Sequence, residues 1–242
     1  MNYLKTLPPD RPRRPPTWFD IVAESRFALE WLQSKRLGAR ALQGLPRGDG
    51  LPVLLLPGYG ADEATLLTLQ ERLIALGYDV RPWGQGKNHG QVHKLLPRLG
   101  ALIESWHAET GKPVTLIGWS LGGYIARELA RDHVAAVAGV LTLGSPAVGG
   151  PKYTITANSY RKRGFDLDAI EADMARRDAQ PILCPLTVFF SKVDGIVSWP
   201  ATLDRSTPQA RHIEVKSSHI GLVFDAGVFR IIAQALADQR AG

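Results

Sequence analysis

From residue 51 onward, short apolar runs alternate with segments whose apolar residues recur at helical spacing. The apolar runs show little alternation with polar residues, which is typical of strands covered on both faces of a parallel sheet. The regular exchange of such strands with helices predicts βαβ units in a doubly wound α/β domain. The predicted strands are residues 51–57, 78–83, 113–119, 137–145, 185–191 and 211–217, and the predicted helices are 63–76, 91–108, 121–132 and 223–239.

The first fifty residues do not share this pattern. Proline recurs near the start and removes backbone donors, so an extended arm is predicted there. Residues 17–36 then combine apolar and charged positions in a pattern that predicts an amphipathic helix, with Thr17 as its N-cap and Asp20 at the capping-box position. We therefore divide the chain into an N-terminal arm and helix, residues 1–50, and an α/β domain, residues 51–242.

One interval of the α/β domain is longer than a crossover between neighbouring strands requires. Residues 147–182 separate the fourth and fifth predicted strands and contain an amphipathic segment, DLDAIEADMARRD. The interval is too short to form a second domain with its own core. It is therefore predicted to be a short cap or lid insertion.

The composition is that of an ordinary globular protein, with 45% apolar and 21% charged residues among 242. The formal net charge is +6, and part of the excess lies in two short clusters, one of Arg11, Arg13 and Arg14 and one at residues 161–163. Two short clusters with little aromatic interleaving do not predict nucleic-acid binding. They are consistent with a solubilising surface, or with long-range attraction of anionic substrates or lipid surfaces.

Targeting and redox features are few. The N-terminal stretch has no apolar segment typical of a secretory signal, and no run approaches the roughly 18–20 apolar residues of a membrane span. Cys184 is the single cysteine, so an internal disulfide is excluded. These features predict a cytoplasmic protein.

A serine stands at the end of the third predicted strand, in the sequence LIGWSLGG. Ser120 lies between Gly118 and Gly122, after an apolar strand and before a helical pattern. Serine and glycine are also common turn residues, so the motif alone is weak. The strand before it and the helix after it provide the context that a nucleophile elbow requires, and we interpret Ser120 as a nucleophile.

A serine hydroxyl needs a base to take its proton. His219 follows the last predicted strand directly, at the kind of position where open α/β sheets meet ligands, and it is the predicted base. His212 lies within that strand and is interpreted as a strand residue. His89 and His93 follow the second strand and remain alternatives.

The base in turn needs a carboxylate that orients its imidazole and stabilises its charged form. Asp194 follows the fifth predicted strand, in FFSKVDGIVSW, and other acids at strand ends are few. The Asp-Gly pair is also a common turn, and a turn is where a strand-end carboxylate would be displayed. Asp194 is therefore the predicted partner of His219.

The loop after the first predicted strand reads LLLPGYGAD. Gly58 and Gly60 allow its backbone to turn close to the serine. The N–H groups of Tyr59 and Leu121 are the predicted oxyanion donors, since the residue after the nucleophile and this loop usually supply them. A phosphate-binding loop would require the Walker lysine and Ser/Thr, which are absent.

Taken together, PGYGA, GWSLGG, SKVDGIV and SSHIGL resemble the α/β-hydrolase family, and within it lipase- and esterase-like bacterial members, over about residues 51–240. The order Ser, Asp, His is the order of that family. The resemblance implies an α/β-hydrolase fold, here with a six-stranded, mainly parallel sheet where the family usually has eight strands. The oxyanion loop departs from the family's HGGG type.

Several large side chains are predicted near the site. Trp83, Trp119 and Trp199 lie near predicted carboxyl ends of strands, where they would favour an apolar acyl group, although at least one is expected to pack in the core. Asn88, in the loop GQGKNHG, is a candidate substrate contact, and a loop held by its own hydrogen bonds is the alternative.

These residues predict a serine hydrolase that cleaves carboxylic esters through an acyl-enzyme, with a small-molecule ester of apolar acyl group as substrate. No metal or cofactor is required by this chemistry. A serine at the elbow disfavours the branches of the family that use an aspartate nucleophile. Two alternatives remain: an acyltransferase with the same triad, and a non-catalytic binding protein on a hydrolase scaffold.

Overall fold

A computed structural model describes residues 3–10 and 13–241, so the predicted cation Arg11 and part of the N-terminal arm lie outside the described residues. Six strands of the described chain form one sheet in the order β2-β1-β3-β4-β5-β6, and every neighbouring pair is parallel. The six predicted strands and the α/β class are confirmed. The strands are β1 (Pro52–Leu56), β2 (Asp79–Pro82), β3 (Val114–Trp119), β4 (Val137–Leu143), β5 (Leu186–Phe190) and β6 (Arg211–Glu214).

The strands are apolar on both faces because both faces of the sheet are covered. In β1, Val53 and Leu55 pack in one hydrophobic core, whereas Leu54 and Leu56 pack in a second core on the opposite face. Successive side chains of a strand point to opposite faces. A continuous apolar run is therefore the sequence that such a strand requires.

Nine α-helical segments accompany the sheet in the described part of the chain. They are α1 (Trp18–Ala23), α2 (Phe27–Leu37), α3 (Leu67–Ala75), α4 (Val92–Thr110), α5 (Leu121–Asp132), α6 (Ala157–Lys162), α7 (Leu167–Asp178), α8 (Trp199–Thr202) and α9 (Ala226–Ala241). Leu73 of α3 and Ile232 of α9 pack on one face of the sheet, and Ile103 of α4 and Ile125 of α5 pack on the other. None of the helices, as far as the chain is described, is long and apolar enough to cross a membrane.

The helix predicted over residues 17–36 is present, but it is broken into α1, a 3₁₀ turn at Glu24–Arg26, and α2. At its start the Thr17 backbone N–H donates to the Asp20 carboxylate over 2.7 Å. This is the contact that the capping-box spacing predicts, and it fixes the point where the chain enters the helix.

The insertion at residues 147–182 forms short helical segments that include α6 and α7. It is tied to the loop after β5, where the Ile155 N–H donates to the Ile196 carbonyl over 3.0 Å. On its other side, Arg177 of α7 donates to the buried carboxylate of Glu128 in α5 over 2.6 Å. These contacts hold the insertion next to the carboxyl end of the sheet.

Candidate active site

Ser120 lies at the turn between β3 and α5. Its backbone has φ 54° and ψ −123°, a positive-φ conformation that residues with a side chain rarely adopt. Apart from Asp49, no other described non-glycine residue has a positive φ. The turn places Ser120 on the wall of a cavity at the carboxyl end of the sheet.

The glycines around Ser120 make this tight turn possible. A Cβ at Gly118 would collide with the carbonyl of Gly122, and a Cβ at Gly122 would collide with the carbonyl of Leu56 in β1. Helix α5 therefore begins in direct contact with the neighbouring strand. Its first N–H groups are left without intrahelical acceptors, and they favour negative charge at the cavity.

Asp194 and His219, from the loops after β5 and β6, meet in a buried hydrogen bond. The distance from Asp194 Oδ2 to His219 Nδ1 is 2.7 Å, and the two side chains are 1% and 3% exposed. With Nδ1 engaged in this way, Nε2 is the ring nitrogen that can act on a ligand. His219 lines the same cavity as Ser120, whose hydroxyl has no hydrogen-bond partner among the described residues.

The loop that carries Asp194 wraps around its carboxylate. Asp194 Oδ1 accepts hydrogen bonds from the backbone N–H groups of Ile196 at 2.9 Å and Val197 at 2.8 Å. The turn predicted from Asp-Gly and the displayed carboxylate are thus both present. Because both carboxylate oxygens are engaged, the orientation of Asp194 toward His219 is fixed from two sides.

The backbone of His219 is held by two residues from distant parts of the chain. Trp119 Nε1 donates to the His219 carbonyl over 3.0 Å, and the two rings lie 5.1 Å apart. On the other side, the His219 N–H donates to Glu24 Oε1 over 2.9 Å. The same Glu24 oxygen accepts the N–H of Gly195 over 2.7 Å. Glu24 therefore joins the loop of Asp194 to the loop of His219.

A second buried carboxylate from the N-terminal helices supports the His219 loop. Glu30 accepts the backbone N–H of Ser218 at 2.9 Å and its hydroxyl at 2.5 Å. Gly221 lies so close to Glu30 that a Cβ there would collide with the carboxylate. A buried carboxylate requires such donors. Two buried glutamates, one in the turn between α1 and α2 and one in α2, thus support the loops of the candidate site.

The predicted oxyanion donors are the backbone N–H groups of Tyr59 and Leu121. Both residues line the cavity with Ser120, and neither N–H has an acceptor among the described residues. A Cβ at Gly58 would lie 3.0 Å from Ser120 Cβ, so the loop after β1 comes close to the serine. The two donors are therefore available to a ligand oxygen.

Asn88 holds this loop, is fully buried and does not line the cavity. Its Nδ2 donates to the Pro57 carbonyl over 2.8 Å. Its backbone exchanges hydrogen bonds with Gly60 at 2.8 Å and Ala61 at 2.7 Å. The prediction that Asn88 touches substrate is corrected to the alternative: it positions the loop that carries Tyr59.

The cavity beside Ser120 has a volume of about 240 Å³ and mostly apolar walls. Burial, and then the neighbouring Tyr59, raise the pKa of Tyr160 to about 12, so this phenol is neutral. The lining residues beyond the predicted donors, serine and histidine include Trp119, Pro146, Pro151, Tyr160, Ile196 and Val197. Such walls suit an apolar group next to the serine.

A second cavity of about 400 Å³ adjoins the first, beneath the insertion. Leu121, Pro146, Pro151 and Tyr160 line both cavities. The second cavity extends between α4 and α7 and is also mainly apolar. The two cavities thus share one wall, and the second lies under residues 147–182.

The three predicted tryptophans have different environments. Trp119 lines the cavity, as expected. Trp83 is fully buried in a hydrophobic core and donates to the Gly86 carbonyl over 3.0 Å, so its prediction as a substrate contact is corrected. Trp199 stacks on Phe190 and lines a different cavity, behind Asp194. One tryptophan packs in the core, as the sequence analysis expected.

The remaining histidines do not join the cluster of Asp194 and His219. His212 is a buried residue of β6, as predicted, and accepts the Asp204 N–H at Nε2 over 3.2 Å. His89 and His93, the alternatives for a base, are exposed. Across residues 3–10 and 13–241, no three His, Cys, Asp or Glu side chains gather in a way that could hold a metal ion.

Sequence reasoning missed Glu24, Glu30 and the role of Trp119 in holding His219. The glutamates lie more than 160 residues before the loops that they bind, and nothing local to them indicates a buried partner.

Comparison with known proteins identifies the family of the chain. A sequence model described as the alpha/beta hydrolase family matches residues 27–232. The chain belongs to the α/β-hydrolase family. Among curated relatives, human phosphatidylcholine-sterol acyltransferase is 25% identical over 173 residues, which span 62% of this chain and 39% of that enzyme. The match thus covers less than half of the relative's length.

Solved structures of α/β-hydrolases resemble this chain in fold. A monoacylglycerol lipase from Paleococcus ferrophilus has a TM-score of 0.58 at 17% identity and covers 81% of this chain and 97% of its own. A structure of the metagenome-derived lipolytic enzymes LipS and LipT has a TM-score of 0.63 at 15% identity, with 82% and 96% covered. A Thermogutta terrifontis esterase has a TM-score of 0.56 at 20% identity, with 80% and 92% covered.

Proposed function

We propose that this protein is a serine hydrolase that cleaves carboxylic esters through an acyl-enzyme. The observation that carries the proposal is that His219, hydrogen-bonded to Asp194, lines one cavity together with Ser120. A carboxylate on Nδ1 favours the tautomer whose Nε2 can take a proton. The strained backbone of Ser120 supports the proposal, because such strain clusters at active sites.

In the proposed reaction, Ser120 Oγ attacks the ester carbonyl carbon while His219 Nε2 accepts the hydroxyl proton. The carbonyl oxygen takes up the electron pair and accepts hydrogen bonds from Tyr59 and Leu121. The C–O bond to the alcohol then breaks, and His219 returns the proton to the departing alcohol. Water, deprotonated by His219, attacks the acyl-enzyme, which releases the acid and restores Ser120.

The walls of the two adjoining cavities support an apolar acyl group as part of the substrate. In the proposed complex the reacting ester occupies the first cavity, and a longer acyl chain extends past the shared residues Leu121 and Tyr160 into the second, larger cavity. Each methylene buried there would add about 0.8 kcal/mol of favourable transfer free energy. Esters with longer acyl chains should therefore be better substrates until the second cavity is full.

Replacing the serine tests the proposal. Ser120→Ala should reduce p-nitrophenyl ester turnover to the uncatalysed background while the thermal unfolding midpoint stays close to that of wild type. A fluorophosphonate probe should label wild type and not Ser120→Ala. Ser217→Ala is the matched control, because Ser217 is buried near His219 and its hydroxyl has no partner in the described chain. Folded wild type that resists the probe would favour a non-catalytic binding protein.

An acyltransferase is the second candidate, favoured by the relative named phosphatidylcholine-sterol acyltransferase. The same acyl-enzyme would then be attacked by an alcohol or thiol in place of water, and that acceptor's proton would pass to His219. Turnover with added alcohol or thiol acceptors separates the two functions. Free acid as the main product supports a hydrolase, whereas a new ester or thioester as the main product supports a transferase.

A further inference from the structure

The outer surface of α1 and α2 is strongly apolar. Sixteen large apolar side chains of the described residues are exposed, and nine of them lie within residues 18–37. Trp18 is 71% exposed, Phe19 83% and Leu29 65%. Single exposed apolar residues are common, but a concentration of this kind marks a surface that binds something.

The direction of this apolar surface is fixed by contacts on the opposite side of the helices. Glu24 and Glu30 are buried against the loops of Asp194 and His219. Ser34, one helical turn after Glu30, donates to the Phe224 carbonyl over 2.5 Å. A surface helix normally turns its apolar side inward. Here the polar side is held inward by hydrogen bonds, so the apolar side is left facing out.

The charges of α1, α2 and the short segments next to them, residues 17–40, are divided in the same way. Arg26, Lys35, Arg36 and Arg40 are exposed, whereas Glu24 and Glu30, two of the three carboxylates in residues 17–40, are buried. The Lys35 ammonium lies 5.6 Å from the ring centre of Trp31, beside the apolar residues. The third carboxylate, that of Asp20, is engaged by Thr17. The outward surface is therefore both apolar and cationic.

From this combination we infer that α1 and α2 dock the protein on an anionic lipid surface. Exposed tryptophan and phenylalanine suit the boundary between headgroups and acyl chains, and the cations suit lipid phosphates. A second copy of the chain fits less well. A two-fold interface would bring each cationic surface against itself, which costs free energy.

The helices that carry the docking surface pack on the candidate active site. A Cβ at Gly195 would collide with the Asp20 carbonyl, so α1 packs directly on the loop that carries Asp194. A lipid surface bound to the outer side of these helices would therefore be separated from the loops of Asp194 and His219 by the helices alone. The inference goes beyond the proposed ester hydrolysis and does not depend on it, because it concerns binding alone.

Vesicle binding tests the inference without any catalytic readout. The Ser120→Ala protein is used, so that vesicle lipids are not consumed. It should co-sediment with vesicles of phosphatidylcholine and phosphatidylglycerol at low salt, and less with phosphatidylcholine alone or at high salt. Lys35→Glu with Arg36→Glu should weaken binding to the anionic vesicles by about tenfold or more.

Two pairs of apolar substitutions test the apolar part of the surface, one pair within the helices and a matched control pair outside them. Phe19→Ser with Trp31→Ser should reduce binding by about tenfold or more, whereas Leu183→Ser with Ile74→Ser, also exposed but outside these helices, should leave it unchanged. Circular dichroism establishes that each variant is folded. If the protein bound neither kind of vesicle, the inference would be overturned. It would also be overturned if the two paired apolar variants lost vesicle binding equally. A dimer in solution that Phe19→Ser with Trp31→Ser dissociates would overturn it as well, since a second copy would then cover the surface.

Discussion

Glu24 is a single side chain that connects the two loops of the proposed triad. One of its oxygens accepts both the Gly195 and the His219 N–H groups. In Glu24→Gln, the hydrogen bonds lose their charge assistance, and an amide NH₂ competes for the same position. We expect kcat to fall about tenfold or more with little change in KM, and stability to fall by about 1–3 kcal/mol.

Glu30→Gln distinguishes positioning from a general loss of stability. Glu30 is buried like Glu24, but it binds Ser218 and does not touch the Asp194 loop. The two variants should lose similar stability in urea unfolding, while Glu24→Gln loses more kcat and shifts the pH profile of kcat more. If the two variants lost the same stability and the same kcat, Glu24 would have no positioning role beyond that of Glu30.

Asn88 provides a second test of a positioning residue, now for the proposed oxyanion donors. Asn88→Asp keeps the shape but replaces the NH₂ group that donates to Pro57 with an acceptor oxygen. The loop that carries Tyr59 should shift, and kcat for esters should fall about tenfold or more, as for loss of an oxyanion contact. Steady-state kinetics check this. An unchanged kcat with a lower unfolding midpoint would assign Asn88 to stability alone.

At the scale of single residues, the sequence indicates the candidate site residues that follow strands. It does not indicate the residues that hold those site residues in place. Ser120, Asp194 and His219 each stand just after an apolar run, and parallel topology brings such positions to one edge. Glu24 and Asn88 act through tertiary hydrogen bonds to backbone groups. Backbone acceptors and donors are common to nearly all residue types, so no sequence motif indicates these contacts.

At the scale of elements, apolar periodicity located the strands and helices because burial on both sheet faces dictates it. The exception is the N-terminal helix pattern, which predicts one helix where a 3₁₀ turn separates α1 from α2. That break places Glu24 against the loops of the candidate site. The break is set by the tertiary partners of Glu24, and the spacing of apolar residues along a helix contains no information about those partners.

Helix α4 forms one wall of the second cavity and offers a test of the acyl path. Leu96 lines this cavity, so Leu96→Trp should fill part of it. The ratio of kcat/KM for an octanoyl over an acetyl ester should fall about tenfold or more, since each methylene buried in the cavity contributes about 0.8 kcal/mol and several would be excluded. Turnover of the acetyl ester should change little, because the cavity beside Ser120 is unaltered.

Leu102→Trp is the control on the same helix. Leu102 is also half-buried and packs against the same core, but it does not line either cavity. A similar loss of chain-length preference in both variants would point to a general disturbance of α4 and contradict the acyl path.

At the scale of the whole molecule, a buried polar network joins the sheet, α5 and the insertion. Arg127, which is 1% exposed, pairs with Asp204 and with Asp178 of α7. Burial alone would raise the pKa of Asp204, but Arg127 and the Thr207 N–H outweigh it and lower that pKa. Asp204 therefore stays charged, and its own N–H donates to His212 in β6.

His212 should make the stability of the whole fold depend on pH. Burial lowers its pKa below the ordinary value, despite the opposing effect of Asp204. Because the folded state disfavours the proton, the unfolded state takes it up first. Stability is then fully present above about pH 6.5 and falls as the pH drops below that value toward the folded pKa. Protonation would also remove the acceptor of the Asp204 N–H.

Urea unfolding of wild type and His212→Gln at pH 7.5 and pH 5 measures this effect, because the ordinary histidine pKa of about 6.5 lies between these two pH values. Glutamine offers a neutral acceptor in place of Nε2, so the variant should lose less stability on acidification than wild type does, whatever its stability at pH 7.5. His89→Gln, at an exposed histidine, should keep the wild-type pH dependence. An equal loss in wild type and His212→Gln would show that the network tolerates a charged His212 and that acid sensitivity arises elsewhere in the fold.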